Sequence, residues 1–138
     1  MTTNPNEPAT DAVNRTAQEI LAALQAKDSA KLISYYAPDA VLVTPGRPPA
    51  RGSEAVSKAI RNDIADPKFK ISVSDEKTEV AGSGDLAYHR GTLNITYTNP
   101  QTKQAENAAA TNLTVFRKQA DASWKVVEDF EVRAAGPD

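Results

Sequence analysis

The sequence contains no cysteine and only one histidine among its 138 residues. Without cysteine, the chain can form no disulfide bond, no thiolate metal site and no cysteine nucleophile. With His89 alone, neither a multi-histidine metal site nor a histidine-based catalytic triad can be argued from the sequence. We therefore expect neither a metal nor a cofactor.

A strong excess of charge of one sign is also missing. The chain has 16 basic and 18 acidic residues, which gives a formal net charge of -2. This balance lacks the electrostatic signature of proteins that bind nucleic acid or anionic membranes. We expect neither partner, and no glycine-rich phosphate loop is present.

Long hydrophobic runs are absent as well. No apolar stretch approaches the ~20 residues of a membrane-spanning helix. The first ten residues, MTTNPNEPAT, lack the charged and apolar regions of a signal peptide. The sequence therefore predicts a cytoplasmic protein, with a mature periplasmic or secreted form as the alternative.

The length of the chain fits one domain. Residues 1–9 are polar and contain two prolines, so they are predicted to be a disordered tail. We predict a single domain over residues 10–133 and a second tail over residues 134–138.

Apolar residues recur at helical spacing in three N-terminal segments. The first is predicted to start at a cap formed by Thr10 or Asp11 and to end near Lys27. The second, capped at Asp28, reaches residue 37, and the third follows a cap at Ser53 and ends before residue 67. A short strand over residues 40–44 separates the second helix from the third.

The pattern changes to period two after the third helix. Strands are predicted at about 69–81, 86–97, 103–118 and 124–133, with a weak middle at 75–77 and a bend at Gly91. The predicted fold class is α+β and cone-shaped. Three N-terminal helices pack on a strongly curved antiparallel sheet of one short strand plus a four-stranded meander, and the mouth of the cone is a natural pocket.

Three stretches of the sequence together resemble a known superfamily. They are YYAPDAVLVTPGRPPARGSEAV, GDLAYHRGTLNITYT and LTVFRKQADASWKVVEDFEV, and they resemble the nuclear transport factor 2-like superfamily. The branch they resemble most contains the SnoaL-like domains, the ketosteroid isomerases and the association domain of calcium/calmodulin-dependent kinases. The resemblance covers about residues 10–132 and implies a cone-shaped fold, a homodimer through the sheet and a pocket for a small apolar ligand.

The chain departs from the isomerases of that superfamily at their functional positions. Those enzymes carry a carboxylate base at the end of the first short strand, where this chain has Thr44. Their second acid matches the segment 112–114, which has no carboxylate, and a frequent histidine pair matches Glu128 and Phe130. These differences argue against an isomerase of that type.

His89 is a candidate acid-base residue. Strand alternation places it on the same face as Leu93 and Ile95, which should point into the cone. There it would exchange a proton with a ligand, or else pack in the core and bond to a neighbour.

Two adjacent carboxylates, Glu128 and Asp129, are the other catalytic candidates. Neighbouring strand residues face opposite sides, and Glu128 shares a face with Trp124 and Val126. Glu128 is therefore predicted to be the pocket carboxylate, where burial would raise its pKa unless an arginine pairs with it. Trp124 itself is expected in the core or at a dimer interface.

The remaining candidates could line the pocket. At most one of the two adjacent tyrosines at 35 and 36 should point inward. Arg47 and Arg51, near the mouth, could attract an anionic ligand or remain solvated. The predicted ligand-binding residues are Tyr35, Tyr36, Val43, Thr44, His89, Tyr97, Asn112, Thr114 and Phe130.

The leading interpretation is a homodimeric cone that binds a small apolar or amphipathic molecule. One alternative is a SnoaL-like enzyme, such as a cyclase, dehydratase, isomerase or hydrolase, that uses His89 with Glu128 or Asp129 as acid-base groups. The other is an association module whose function is oligomerisation.

Overall fold

The computed structural model describes residues 7–133, and its architecture is the predicted α+β fold. The elements are α1 (Ala9–Gln25), α2 (Ser29–Ile33), β1 (Tyr36–Val43), β2 (Ala50–Arg51), α3 (Gly52–Ile64), β3 (Lys70–Val80), β4 (Leu86–Thr98), β5 (Ala105–Lys118) and β6 (Trp124–Arg133). The predicted tail at 134–138 and most of the one at 1–9 lie outside the described residues.

The six strands form one curved, unclosed sheet in the order β2-β1-β6-β5-β4-β3. Strands β3 to β6 are the predicted antiparallel meander. Strand β1 pairs with β6 in parallel, so the sheet is mixed rather than wholly antiparallel. The two-residue β2, which pairs with β1, was not predicted.

The helix starts differ slightly from those predicted. Helix α1 begins at Ala9, with Pro8 at the N-cap position, so neither predicted cap residue is used. Asp28 caps α2 as predicted, because its side chain accepts a hydrogen bond from the amide of Lys31 at 3.1 Å. Helix α3 begins at Gly52, one residue before its predicted cap.

The second helix is much shorter than predicted, and β1 starts at Tyr36. The amide of Val126 donates to the carbonyl of Tyr35 at 2.8 Å, and Tyr36 lies opposite Val126. This pairing partner comes from the far end of the chain, so a local helical pattern could not reveal it. The consequence is that Tyr36 lies on the sheet, beside β6, and not on a helix.

The predicted weak middle of β3 is a β-bulge. The register with β4 shifts between Ser74 and Lys77, and Asp75 has a φ of 52°. Gly91 lies opposite this irregularity, and a Cβ atom built there would come within 2.7 Å of the Cγ2 of Val73. Gly91 thus leaves room for the side chain of Val73. The bend predicted at Gly91 does not interrupt the pairing of β4 with β5.

The helices cover the concave face of the sheet and bury two apolar clusters there. One contains Val13, Phe116 and Trp124, which confirms the core position of the tryptophan. The other contains Leu32 and Ile60, among others. Each buried side chain of this size stabilises the fold by roughly 1.5–3 kcal/mol. Within residues 7–133, no helix has the length and apolar character needed to cross a membrane.

Candidate functional site

A cavity of about 140 Å³ lies between the helices and the concave face of the sheet. Most of its lining is aliphatic or aromatic, from α1, α3 and the inner face of the sheet. The polar and titratable residues that also line it are Tyr36, Thr44, Asp63, Glu76, His89, Asn112, Thr114, Asp129 and Glu131. An apolar cavity with a few converging polar groups is the usual form of a small-molecule site.

Three polar residues form a row across the inner face of the sheet. Thr114 in β5 lies directly opposite His89 in β4 and opposite Asp129 in β6. Adjacent strands are separated by ~4.8 Å, so the backbones of His89 and Asp129 are roughly 10 Å apart. The two titratable residues therefore stand on either side of Thr114 on one wall of the cavity.

Asp129 is held by neutral hydrogen-bond donors. The hydroxyl of Tyr36 donates to its Oδ2 at 2.6 Å, and Nδ2 of Asn112 donates to its Oδ1 at 2.8 Å. Burial raises the pKa of Asp129 above its ordinary value of 3.8, while the two hydrogen bonds oppose that rise. A carboxyl group with a raised pKa in a cavity is suited to acid-base chemistry.

Tyr36 remains a proton donor in this arrangement. Its pKa lies well above the ordinary 10.0, because its ring and hydroxyl are buried and because the charge of Asp129 disfavours a second anion beside it. The protonated hydroxyl therefore favours the ionised form of Asp129 at any pH near neutrality.

The amide of Asn112 is oriented by a third residue. The hydroxyl of Thr114 donates to Oδ1 of Asn112 at 2.9 Å, which leaves Nδ2 to face Asp129. The same Nδ2 also lies 3.2 Å from the carbonyl oxygen of Phe130. Thr114 thus fixes which end of the amide meets the carboxylate.

His89 stands at the other side of the same wall and has an acidic partner. The residue is 8% exposed, and its Nε2 lies 3.0 Å from Oε1 of Glu76. Glu76 reaches it from the bulge in β3 and keeps 44% of its side chain exposed. The sequence placed His89 inside the cone correctly, but it gave no indication of Glu76.

The prediction that Glu128 faces the cone is wrong. The pairing of β5 with β6 shifts between Val115, which lies opposite Glu128, and Phe116, which lies opposite Val126. Val127 is therefore an extra residue in β6, and the inward positions after it are those of Asp129 and Glu131. Of the two catalytic carboxylates predicted, only Asp129 reaches the cavity.

The same alternation places two predicted ligand residues outside the cavity lining. Val43 lies opposite Phe130, on the face of the sheet away from the helices. Phe130 is 40% exposed there. Their neighbours Leu42 and Thr44 line the cavity instead.

Of the adjacent Tyr35 and Tyr36, one lines the cavity and the other does not, as expected for neighbouring residues. Tyr36 lines the cavity, whereas Tyr35 is buried against α1 and donates to Glu19 at 3.1 Å, and burial raises the pKa of Tyr35 to about 12. Tyr97 also lies outside the cavity lining, since its hydroxyl donates to Glu106 at 2.9 Å. Its ring stacks under Arg133, with 4.8 Å from the guanidinium carbon to the ring centre.

Besides Glu76, two further lining carboxylates were not predicted from the sequence, and each has an arginine partner. Asp63, on α3, accepts two hydrogen bonds at 3.1 Å from Arg47, whose Nε donates to Thr44 at 2.8 Å. Glu131 accepts from Nε of Arg133 at 3.1 Å. Asp63 follows the apolar stripe of α3 by helical spacing, so its inward position could have been found. Among residues 7–133, no group of three or more acidic or histidine side chains is placed to hold a metal ion.

Comparison with known proteins identifies the fold and a family. The family model for the SnoaL-like domain matches residues 13–129. No curated protein matches the chain significantly.

Several solved structures are similar to this chain. A ketosteroid isomerase-like protein from Erwinia carotovora atroseptica SCRI1043 has 26% identity and a TM-score of 0.77, with 95% of this chain and 99% of that chain covered. A nuclear transport factor 2-like superfamily protein from Salmonella enterica has 14% identity and a TM-score of 0.76, with 94% of each chain covered. The hexachlorocyclohexane dehydrochlorinase LinA-type3 from Novosphingobium barchaimii LL02 has 16% identity and a TM-score of 0.77, with 91% of this chain and 86% of that chain covered.

Proposed function

The chain belongs to the SnoaL-like family, and from that premise we propose that its cavity binds a small, partly apolar molecule whose polar group contacts Asp129. The observation that carries this proposal is the buried carboxylate in an otherwise largely apolar cavity. A fold alone does not select a ligand, whereas these side chains do.

The volume of the cavity limits the size of the enclosed part of the ligand. A dry protein cavity of about 150 Å³ holds benzene. A cavity of about 140 Å³ is thus suited to a single six-membered ring. Larger ligands would need to project through the mouth of the cavity.

A pair of matched substitutions on α1 tests binding. Ala17 lines the cavity, whereas Ala22 lies on the exposed side of the same helix. Ala17→Leu should fill part of the cavity and weaken binding of benzyl alcohol, observed by NMR, while Ala22→Leu should bind it as the wild type does. Equal binding by both variants, or no binding to the wild type, would overturn the proposal.

A second candidate function is proton transfer on the bound molecule. It is favoured by two acid-base residues, Asp129 and His89, on one wall of the cavity with Thr114 between them. Ionised Asp129 would accept a proton from the ligand, and His89 would donate or accept one at a second position. With any substrate that the protein turns over, Asp129→Asn should lower kcat roughly 100-fold or more. Glu128→Gln, the matched change on the outer face, should leave kcat unchanged.

We also propose that the protein forms a homodimer through the outer face of the sheet. Leu113 and Phe130 lie opposite each other on that face, and Val132 beside them is 64% exposed. Apolar side chains grouped in this way mark an interaction surface. Light scattering should give a dimer for the wild type and for Ser72→Asp, and a monomer for Phe130→Asp. A monomeric wild type would exclude the dimer, and a larger ring would favour an association module.

A further inference from the structure

The cavity lining has more acidic than basic side chains. No lysine or arginine is among the lining residues of the described chain, while four carboxylates are. Three of the four have a basic partner within 3.1 Å: Asp63 with Arg47, Glu131 with Arg133, and Glu76 with His89. The fourth, Asp129, has no basic partner among residues 7–133, where its hydrogen bonds come from a phenol and an amide.

These neutral donors stabilise the ionised form of Asp129 but do not neutralise it. A hydroxyl and an amide contribute dipoles, and a carboxylate in a low-dielectric cavity still lacks a counter-charge. Each Asp129 oxygen already accepts one hydrogen bond and retains acceptor capacity for one more. A cationic hydrogen-bond donor is therefore the group that Asp129 still lacks at this end of the cavity.

We propose that the ligand of this cavity is a small amine that enters in its protonated form, with an apolar body of about one ring and its ammonium group bonded to Asp129. The proposal rests on the proposed small-molecule function and names the chemical class of the ligand. It predicts an order of affinity in which a cation binds more tightly than a neutral molecule of the same shape, and an anion binds most weakly.

Anions are disfavoured because the nearby basic groups already have acidic partners. The Arg47 guanidinium donates to both carboxylate oxygens of Asp63 and to Thr44. Arg133 bonds to Glu131 and stacks on Tyr97. A ligand carboxylate would have to displace one of these partners and would also lie near ionised Asp129.

Three probes of similar shape test the order of affinity at pH 7: benzylamine as the cation, benzyl alcohol as the neutral molecule and benzoate as the anion. Calorimetry on the full chain measures affinity, and NMR shifts at Leu93 and Asn112 verify that the probe is in the cavity. We expect benzylamine to bind roughly tenfold or more tightly than benzyl alcohol, and benzoate to bind most weakly.

A matched pair of variants then assigns the preference to one carboxylate. Asp129→Asn should bring benzylamine and benzyl alcohol to similar affinities, whereas Glu128→Gln should keep the wild-type order. The order of the three affinities in the wild type already tests the proposal. The proposal can therefore be refuted even if a variant folds poorly.

The possible outcomes separate this inference from the proposed function. If benzyl alcohol enters the cavity as tightly as benzylamine, the amine is excluded as the ligand class while small-molecule binding stands. Benzoate binding as tightly as benzyl alcohol, or an unchanged order in Asp129→Asn, would also overturn the inference. If none of the three probes binds, both the inference and the proposed function fail.

Discussion

The two titratable residues on the inner wall of the cone are supported in different ways. Asp129 lies among neutral donors that are themselves fixed by Thr114 and by the pairing of β1 with β6. His89 has a charged partner, Glu76, which is half exposed at a bulge. A buried group without a counter-charge is available to a ligand, whereas a group that is already paired is less available.

The largest expected effect follows from removing a donor at the Asp129 side. Tyr36→Phe deletes the hydrogen bond to Oδ2, and a hydrogen bond to a charged group contributes about 1.5–3 kcal/mol to stability. The pKa of Asp129 should rise further, because this bond favours the ionised form. Denaturant unfolding and carboxyl NMR measure the two effects.

Tyr35→Phe is the matched control for that experiment. It removes the neighbouring hydroxyl, whose partner is Glu19 on α1. The titration of Asp129 should be the same as in the wild type. An equal shift in both variants would show that Tyr36 does not act on Asp129 through its hydrogen bond.

A backbone change should disturb the His89 side alone. Gly91→Ala forces a Cβ against Val73 and close to Glu76, and such overpacking costs about 1–3 kcal/mol. Gly82→Ala is the control, since a Cβ there meets nothing within 4 Å. Thermal unfolding compares the two variants, and NMR reports whether the environment of Asp129 remains unchanged. A stability loss in Gly82→Ala as large as in Gly91→Ala would contradict the assigned contact.

A smaller effect should appear as a pH dependence of stability. The pKa of Asp129 is raised in the folded state, so the folded protein holds this proton more tightly than the unfolded chain does. The stability that results is fully present below about pH 4, the ordinary range of an Asp side chain, and is lost as pH rises through the folded pKa. Asp129→Asn removes this loss, so its free energy of unfolding should increase relative to that of the wild type as pH rises.

The measurement is denaturant unfolding of both proteins at a series of pH values from 3 to about 7, the range in which a raised Asp pKa acts. Glu128→Gln, which changes the adjacent carboxylate on the outer face, is the control. A wild type that becomes more stable relative to Asp129→Asn as pH rises would mean that the folded pKa of Asp129 is lowered.

The smallest effect is expected for the exposed partner of His89. Glu76→Gln keeps a hydrogen-bond acceptor at Oε1 and removes only a partly solvated charge. The charge of a carboxylate with this exposure contributes less than about 1 kcal/mol. A loss clearly larger than this in chemical denaturation would show that the His89 side depends on charge as much as the Asp129 side does.

Strand alternation predicted the inward position of His89 but not that of Asp129. In β4 the pairing is regular, so the inward position of His89 could be read from the neighbouring apolar residues. In β6 the extra residue at Val127 reverses the faces, and an extra residue leaves no mark in a pattern of period two. That is why Glu128 was predicted inward in place of Asp129.

The fold was more predictable than the contacts that build the site. The order of helices and strands follows from local periodicity and from turns rich in proline and glycine. Tyr36 meets Asp129, and Glu76 meets His89, only through strand pairing between distant segments and through bulges. Short-range sequence patterns do not encode either contact.

A carbon-13 NMR titration of the Asp129 carboxyl group in the folded, ligand-free protein measures its pKa directly. Asp129→Asn assigns the signal. The structure predicts a midpoint above the ordinary value of 3.8, and a lower midpoint when benzylamine is bound, because a cation stabilises the ionised form. A midpoint at or below 3.8 in the free protein, or one that benzylamine leaves unchanged, would contradict the account of Asp129 as a buried carboxylate without a counter-charge.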